Sequence, residues 1–135
     1  MAVDLTTSVQ QFQTSHPIVI QTGYVIDPAT GTPLAVTTVF GQPAANGANT
    51  FIAAVASKKI RVLGYSIQAS GTVTVKFADT AATDLSPAWT FQAREGIVMP
   101  STPGCMWFET AAGLGVNVTL SAAVATNVSA YYVAV

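Results

Sequence analysis

Charge is scarce in this chain, since 8% of its 135 residues are Asp, Glu, Lys or Arg, against roughly 25% in an average soluble protein. Half of the residues are hydrophobic. Because so few charged side chains are present to cover a freely soluble surface, we expect part of the surface to be covered by a partner or by further copies of the chain. The formal net charge of −1 gives no electrostatic attraction to nucleic acid or to an anionic membrane.

Cysteine and histidine each occur once. Cys105 alone makes no internal disulfide and no cysteine-rich metal site, and beside Met106 and Trp107 we expect it to be a small core residue. His16 stands before Pro17, in an extended X-Pro step. A catalytic histidine would need Ser or Cys packed against it and a third group to orient it, so we predict no catalytic residue.

The acidic residues are the remaining candidates for chemistry. Asp79 and Asp84 flank a loop and could ligate calcium, but their spacing matches no dense ligand motif. Two turn-forming aspartates are the simpler interpretation. For Glu109, on a predicted strand, we expect a neighbouring strand edge or a cation such as Arg61 or Arg94 to satisfy the carboxylate. With no phosphate loop, nucleophile elbow or paired acid and base, we predict a protein that is not an enzyme and has no metal or cofactor.

The sequence of the N-terminal region predicts an extended arm. Residues 1–16 are polar and aperiodic, as in an extended segment that is ordered only when something holds it. They lack the basic start and apolar core of a signal peptide, and no run of about 18 apolar residues suggests a transmembrane helix. We therefore expect synthesis in a cytosol.

The most regular part of the chain is residues 58–79. Alternation with a period of two predicts two strands joined at Ser70-Gly71, which we interpret as an antiparallel pair with one buried face. The buried rows would be Leu63, Tyr65, Ile67 and Ala69 on the first strand, and Val73, Val75 and Phe77 on the second.

Short strands separated by turn residues predict the fold class. The further strands expected are residues 17–27, 34–40, 51–56, 88–93, 97–99, 105–110, 114–121 and 128–135, with a hinge loop at 41–49. This spacing predicts an all-β protein, a jelly-roll-like antiparallel β-sandwich with an extended N-terminal arm. We place the arm at residues 1–48, with a possible β-hairpin, and the sandwich at residues 49–135.

Several segments of the chain resemble β-sandwich domains of tailed-phage structural proteins. They are Lys59-Ile60-Arg61-Val62-Leu63, residues 72–77, residues 108–114, Asn117-Val118-Thr119-Leu120-Ser121 and Tyr131-Tyr132-Val133, and the resemblance covers roughly the last 80 residues. The family includes capsid decoration (cement) proteins, which are jelly-roll trimers that clamp neighbouring capsomers from outside. The resemblance implies a virion protein made in the host cytoplasm, located on the outer capsid surface, with the major capsid protein and its own copies (a homotrimer) as partners. It carries over no catalytic or ligand-binding residue.

Two functions therefore remain open. In a decoration protein, the arm would contact the capsid through its apolar side chains, and the expected contact residues are Ile18, Ile20, Tyr24, Ile26 and Phe40. The alternative is a phage head or tail fibre module, or receptor-binding module, that recognises host-surface glycans through exposed aromatic rings. The candidate rings for that function are Trp89, Trp107, Tyr131 and Tyr132, of which the last two must point to opposite faces of a strand.

Overall fold

A computed structural model of the chain describes residues 24–27, 29–101 and 105–135. Every regular element in these ranges is a β-strand, which confirms the all-β prediction. The strands are β1 (Tyr24–Ile26), β2 (Pro33–Ala35), β3 (Thr37–Gly41), β4 (Gly47–Ile52), β5 (Ile60–Ala69), β6 (Val73–Asp79), β7 (Trp89–Phe91), β8 (Gly96–Met99), β9 (Phe108–Glu109), β10 (Val116–Leu120) and β11 (Thr126–Ala134). Within these ranges there is no helix long and apolar enough to cross a membrane.

The strands form three antiparallel sheets. β1 and β2 make a two-stranded hairpin, and a four-stranded sheet has the order β4-β10-β6-β7. The third sheet has the order β3-β11-β5-β8, with β9 also paired to β5, which makes five strands. The two larger sheets pack face to face as a β-sandwich.

The hydrophobic core lies between the two larger sheets. Tyr65 of β5 packs edge-on against Phe77 of β6 with ring centroids 4.9 Å apart, and Phe77 also lies 5.1 Å from the ring of Phe108. The strand expected at 114–121 is observed as β10, on which Val116, Val118 and Leu120 are almost completely buried. Both sheets contribute to the cluster, whose buried members are Ile52, Ile60, Val62, Tyr65, Ile67, Ala69, Val73, Val75, Phe77, Phe91, Phe108, Val116, Val118, Leu120, Val128 and Ala130.

The two strands predicted within residues 58–79 exist, but their pairing as a hairpin is wrong. β5 pairs with β11, β8 and β9, whereas β6 pairs with β10 and β7. The connection at residues 70–72 therefore passes from one sheet to the other. Alternation shows which face of a strand is buried and not which strand lies beside it, so both arrangements fit the same sequence pattern.

A β-bulge in β5 changes which side chains face the core. Val62 and Gly64 pair with consecutive residues of β11, which leaves Leu63 without a partner. Because the extra residue reverses the alternation, Ile60 and Val62 join Tyr65 in the core cluster. Leu63 is buried but is not a member of that cluster. All four members of the predicted row are therefore buried, but Leu63 does not share the core cluster that the other three join.

Two boundaries near the N-terminal region also differ from the prediction. The strand expected at 34–40 is divided at Val36 into β2 and β3, and the loop expected at 41–49 ends earlier, because β4 begins at Gly47. β3 pairs with β11 and is thus a strand of the five-stranded sheet, although it falls within the segment interpreted as an arm. The arm at 1–16 and the first part of the strand at 17–27 lie outside the described residues.

Candidate functional site: a groove on the five-stranded sheet

The outer face of the five-stranded sheet, which points away from the core, carries a row of side chains that crosses four strands. Phe40 on β3 is opposite Ser129 on β11, Ser129 is opposite Ser66 on β5, and Ser66 is opposite Val98 on β8. Two small residues thus lie between two large ones. The result is a groove of about 450 Å³, which we call the sheet groove.

Apolar side chains form the two walls of the sheet groove. Phe40 is 79% exposed and Val98 is 73% exposed, values that are high for residues within strands. A single exposed apolar side chain on a protein surface is ordinary. Here, however, the two stand on opposite sides of one groove, so a partner segment lying across the four strands would contact both.

Hydroxyl and amide groups that bond to one another form the floor. Ser66 Oγ and Ser129 Oγ are 2.6 Å apart, and the lining residue Asn127 accepts at Oδ1 a 2.9 Å hydrogen bond from Nε2 of Gln42, which lies outside the lining. None of the described residues that line the groove is charged or is a histidine. A serine nucleophile needs an adjacent base, so this arrangement fits contact with a neutral surface better than catalysis.

The charged side chains of the same sheet lie outside the groove lining, around Glu109. Arg61 Nη2 lies 2.8 Å from Glu109 Oε2, and Lys59 Nζ lies 3.2 Å from Oε1. Of the cations considered from the sequence, Arg61 therefore pairs with this acid. Partial burial acts to raise the pKa of Glu109, but the hydrogen bonds from Arg61 and Lys59 outweigh it and hold the pKa below its ordinary value.

The loop between Asp79 and Asp84, considered as a calcium site, uses its carboxylates internally. Asp79 Oδ1 accepts hydrogen bonds from the backbone N–H groups of residues 81 and 83, over 2.9 and 2.8 Å. Asp84 Oδ1 lies 2.6 Å from Lys76 Nζ. The interpretation of Asp79 as a turn-forming aspartate is thus confirmed. Among the described residues, no three acidic, histidine or cysteine side chains come together as a metal site.

The five predicted contact residues have different outcomes. Ile18, Ile20 and the side chain of Tyr24 lie outside the described residues. Ile26 is 46% exposed on β1, and Phe40 forms a wall of the sheet groove. Of these residues, the structure therefore assigns only Phe40 to the candidate site.

Sequence reasoning missed the other three members of the row. Val98 stands in the run Ile97-Val98-Met99, which looks uniformly apolar, although its neighbours on either side pack against the core. Ser66 and Ser129 are ordinary polar positions on their strands. Only the register of the sheet brings them between two apolar walls, so no local pattern indicated the groove.

The prediction for Cys105 is wrong, because its thiol-bearing side chain is exposed. It lies between β8 and β9, where Met106 and Trp107 are also exposed, by 50% and 47%. The apolar neighbours that suggested a core position therefore share its exposure. In a segment without alternation, apolar composition alone does not indicate burial.

The four aromatic residues considered as a glycan platform divide into two pairs. Trp89 and Tyr132 pack against the core. Trp107 and Tyr131 are close to half exposed, and Trp107 Nε1 donates to the carbonyl oxygen of Pro100 over 3.1 Å. The predicted opposition of Tyr131 and Tyr132 is confirmed.

Comparison with known proteins adds no assignment: no family model matches this chain, and no curated protein matches it. The sheet groove and its surroundings are therefore the basis for a functional proposal.

Proposed function

We propose that this protein is a structural component of a tailed-phage virion, a decoration protein that binds the outer capsid surface and stabilises contacts between capsomers. Its partners are the major capsid protein and its own copies, in a homotrimer with a jelly-roll-like sandwich, and it is made in the host cytoplasm. The function is binding, without catalysis or a cofactor. The observation that carries the proposal is the sheet groove, which pairs two highly exposed apolar walls with an uncharged lining.

The groove suits a role in which many weak contacts act together. Its two walls contribute a modest apolar area, which alone gives modest affinity. Copies that are linked in a trimer and bind a repeating shell multiply that affinity, because each further contact is made at a high effective concentration. The resemblance of roughly the last 80 residues to β-sandwich domains of tailed-phage structural proteins supports the same function.

The N-terminal arm, interpreted as residues 1–48, is a second contact in this proposal. Its expected contact residues are Ile18, Ile20, Tyr24, Ile26 and Phe40. Because Thr37–Gly41 is a strand of the five-stranded sheet, removing the whole segment would also damage the sandwich. A deletion that tests the arm without touching the sheet should therefore be confined to residues 1–16.

The direct test of the groove compares two valine substitutions. Val98→Ser removes a groove wall, whereas Val55→Ser changes another exposed valine, 41% accessible, that lies outside the groove lining. Binding to capsids assembled from the major capsid protein of the same phage is measured by co-sedimentation over a concentration series. We expect Val98→Ser to weaken binding at least tenfold, about 1.4 kcal/mol, and Val55→Ser to leave it unchanged.

The controls separate two kinds of failure. Equal binding by both variants would show that the groove is not the contact, although the protein decorates capsids. An unaltered protein that does not bind at all would contradict the decoration function itself.

A fibre module that recognises glycans is the second candidate, favoured by the exposed rings of Trp107 and Tyr131. Such rings stack on the apolar faces of sugars. A tryptophan-fluorescence titration with host-surface glycans is the test, with Trp107→Phe as the variant. A saturable change that this substitution reduces would support the fibre function over decoration.

A further inference from the structure

The edge of β3 has backbone hydrogen-bonding groups that no other described strand uses. Among the described strands, β3 pairs with β11 alone. At the end of this ladder the Thr126 N–H donates to the Pro43 carbonyl over 3.0 Å. In an antiparallel pair, the hydrogen-bonded residues occur at every second position. Gly41, Val39 and Thr37 therefore direct their N–H and C=O groups to β11, and Thr38 and Phe40 direct theirs to the open side.

The hydrogen-bond pattern of the β1–β2 hairpin indicates that β1 approaches from the same open side. Its ladder begins with the Asp27 N–H, which donates to the Thr32 carbonyl over 2.8 Å, so the next hydrogen-bonded pair is Val25 with Leu34. Leu34 thus directs its backbone groups towards β1. Only Val36 separates β2 from β3. Backbone groups of every second residue point to the same side of a strand, so Thr38 and Phe40 direct their N–H and C=O groups to the same side as Leu34.

The register of the hairpin identifies the sequence that would continue β1 along β3. Tyr24 is opposite Ala35 and Val25 is opposite Leu34. In an antiparallel pair, one step back from Tyr24 corresponds to one step forward from Ala35. Residue 21 would therefore be opposite Thr38, and residue 19 opposite Phe40. The sequence there, Ile-Val-Ile-Gln-Thr-Gly at residues 18–23, is uncharged and rich in β-branched side chains, which favour strands.

We propose that the open edge of β3 is a strand-acceptor site, and that its occupant is the segment 18–23 of the same chain, paired antiparallel in the register of the β1–β2 hairpin. Thr38 and Phe40 then exchange backbone hydrogen bonds with Gln21 and Val19. Ile20, opposite Val39, covers a side chain that packs against the core while still partly exposed.

This assignment changes the expected roles of two contact residues. Ile18 and Ile20 would face the core side of the sheet, with Val39 and Gly41, and would not be free to bind a partner. Val19 would lie beside Phe40 on the outer face and extend the wall of the sheet groove. An edge strand that is otherwise uncharged and free of proline would also be protected against uncontrolled pairing with other chains.

A disulfide test measures the register directly. In a Cys105→Ser background, which removes the exposed native thiol, the pair Ile20→Cys and Val39→Cys occupies a non-hydrogen-bonded position, where Cα atoms are about 4.5 Å apart and a disulfide fits. The matched control, Gln21→Cys with Val39→Cys, differs by one residue and places the two thiols on opposite faces. We expect the first pair to oxidise at least tenfold faster, within one chain, as judged by mass spectrometry.

The alternative outcomes contradict the proposal in distinct ways. Equal rates for the two pairs would show that no fixed register exists. A disulfide between two chains would show that a second copy supplies the strand.

Hydrogen exchange gives a second measurement that needs no cysteine. Gln21→Pro removes the N–H that would donate to Thr38, and Gln13→Pro is the control in the preceding segment. We expect the amides of Thr38 and Phe40 to exchange at least tenfold faster in Gln21→Pro than in the control, while Thr37 and Val39, bonded to β11, stay protected. Unchanged rates at Thr38 and Phe40 would overturn the proposal, whatever the result of the capsid experiments.

Discussion

At the scale of single residues, the strongest electrostatic arrangement described is the one around Glu109. Its side chain is 17% exposed, and Arg61, at 22%, is similarly shielded, whereas Lys59 is 49% exposed. Water screens the lysine pair more than the arginine pair. The arginine hydrogen bond is therefore the main reason that the acid remains ionised at the rim of the sheet.

The lowered pKa of Glu109 predicts how stability depends on pH. The folded-state pKa lies below the ordinary value of 4.5, so the ionised carboxylate stabilises the fold above that value. This contribution is lost as pH falls through 4.5 and then through the folded-state pKa. We expect Glu109→Gln to cost about 1–2 kcal/mol at pH 7 and progressively less as pH falls below 4.5, in urea unfolding followed by circular dichroism.

Lys59→Met is the comparison for that experiment. It removes only the longer, half-exposed contact, so we expect a loss of about 0.5 kcal/mol or less at pH 7. A Glu109→Gln penalty that does not shrink on acidification would show that the carboxylate charge is not what stabilises this part of the fold.

At the scale of elements, the bulge in β5 decides which side chains enter the core. Leu63 is the unpaired residue, and it allows both Ile60 and Tyr65 to face inward although they are five positions apart. A regular strand would point one of the two outward. Leu63 is thus the additional residue that lets side chains on both halves of β5 face the core.

Deleting Leu63 should be far more damaging than shrinking it. The deletion restores regular alternation and turns Ile60 and Val62, both fully buried, away from the core, so we expect a loss of at least about 4 kcal/mol. Leu63→Ala keeps the bulge and should cost about 2–3 kcal/mol. Urea unfolding of both variants measures the difference. If the deletion costs no more than the substitution, the bulge does not determine the facing of β5.

The same strands show which features of the fold can be predicted from the sequence alone. Alternation identified the buried face of β6, because a period of two follows directly from strand geometry. It gave no information on strand partners, so the connection at residues 70–72 was misinterpreted as a hairpin turn. The bulge at Leu63 and the groove between Phe40 and Val98 both arise from register, which depends on contacts between distant parts of the chain.

At the scale of the whole molecule, the few charges are unevenly distributed. The sheet groove has no charged lining residue, while Lys59 and Arg61 both bond to Glu109 at the other end of β5. A surface with so little charge favours association.

The solution mass tests this inference. We expect light scattering behind a sizing column to give three times the chain mass of 13.9 kDa, independent of dilution over the micromolar range. A monomer at all concentrations would contradict the inference that the low charge content requires self-association. Combined with capsid binding by that monomer, it would restrict the proposal to decoration by single copies.

The position of β11 has a consequence for how the chain folds during its synthesis. Although it is the most C-terminal of the described strands, it lies between β3 and β5 and is hydrogen-bonded to both. While a ribosome is still adding the residues before Thr126, β3 and β5 have no neighbour through which to join. β3 therefore joins the five-stranded sheet only after β11 has emerged, whereas β5 can already pair with β8 and β9.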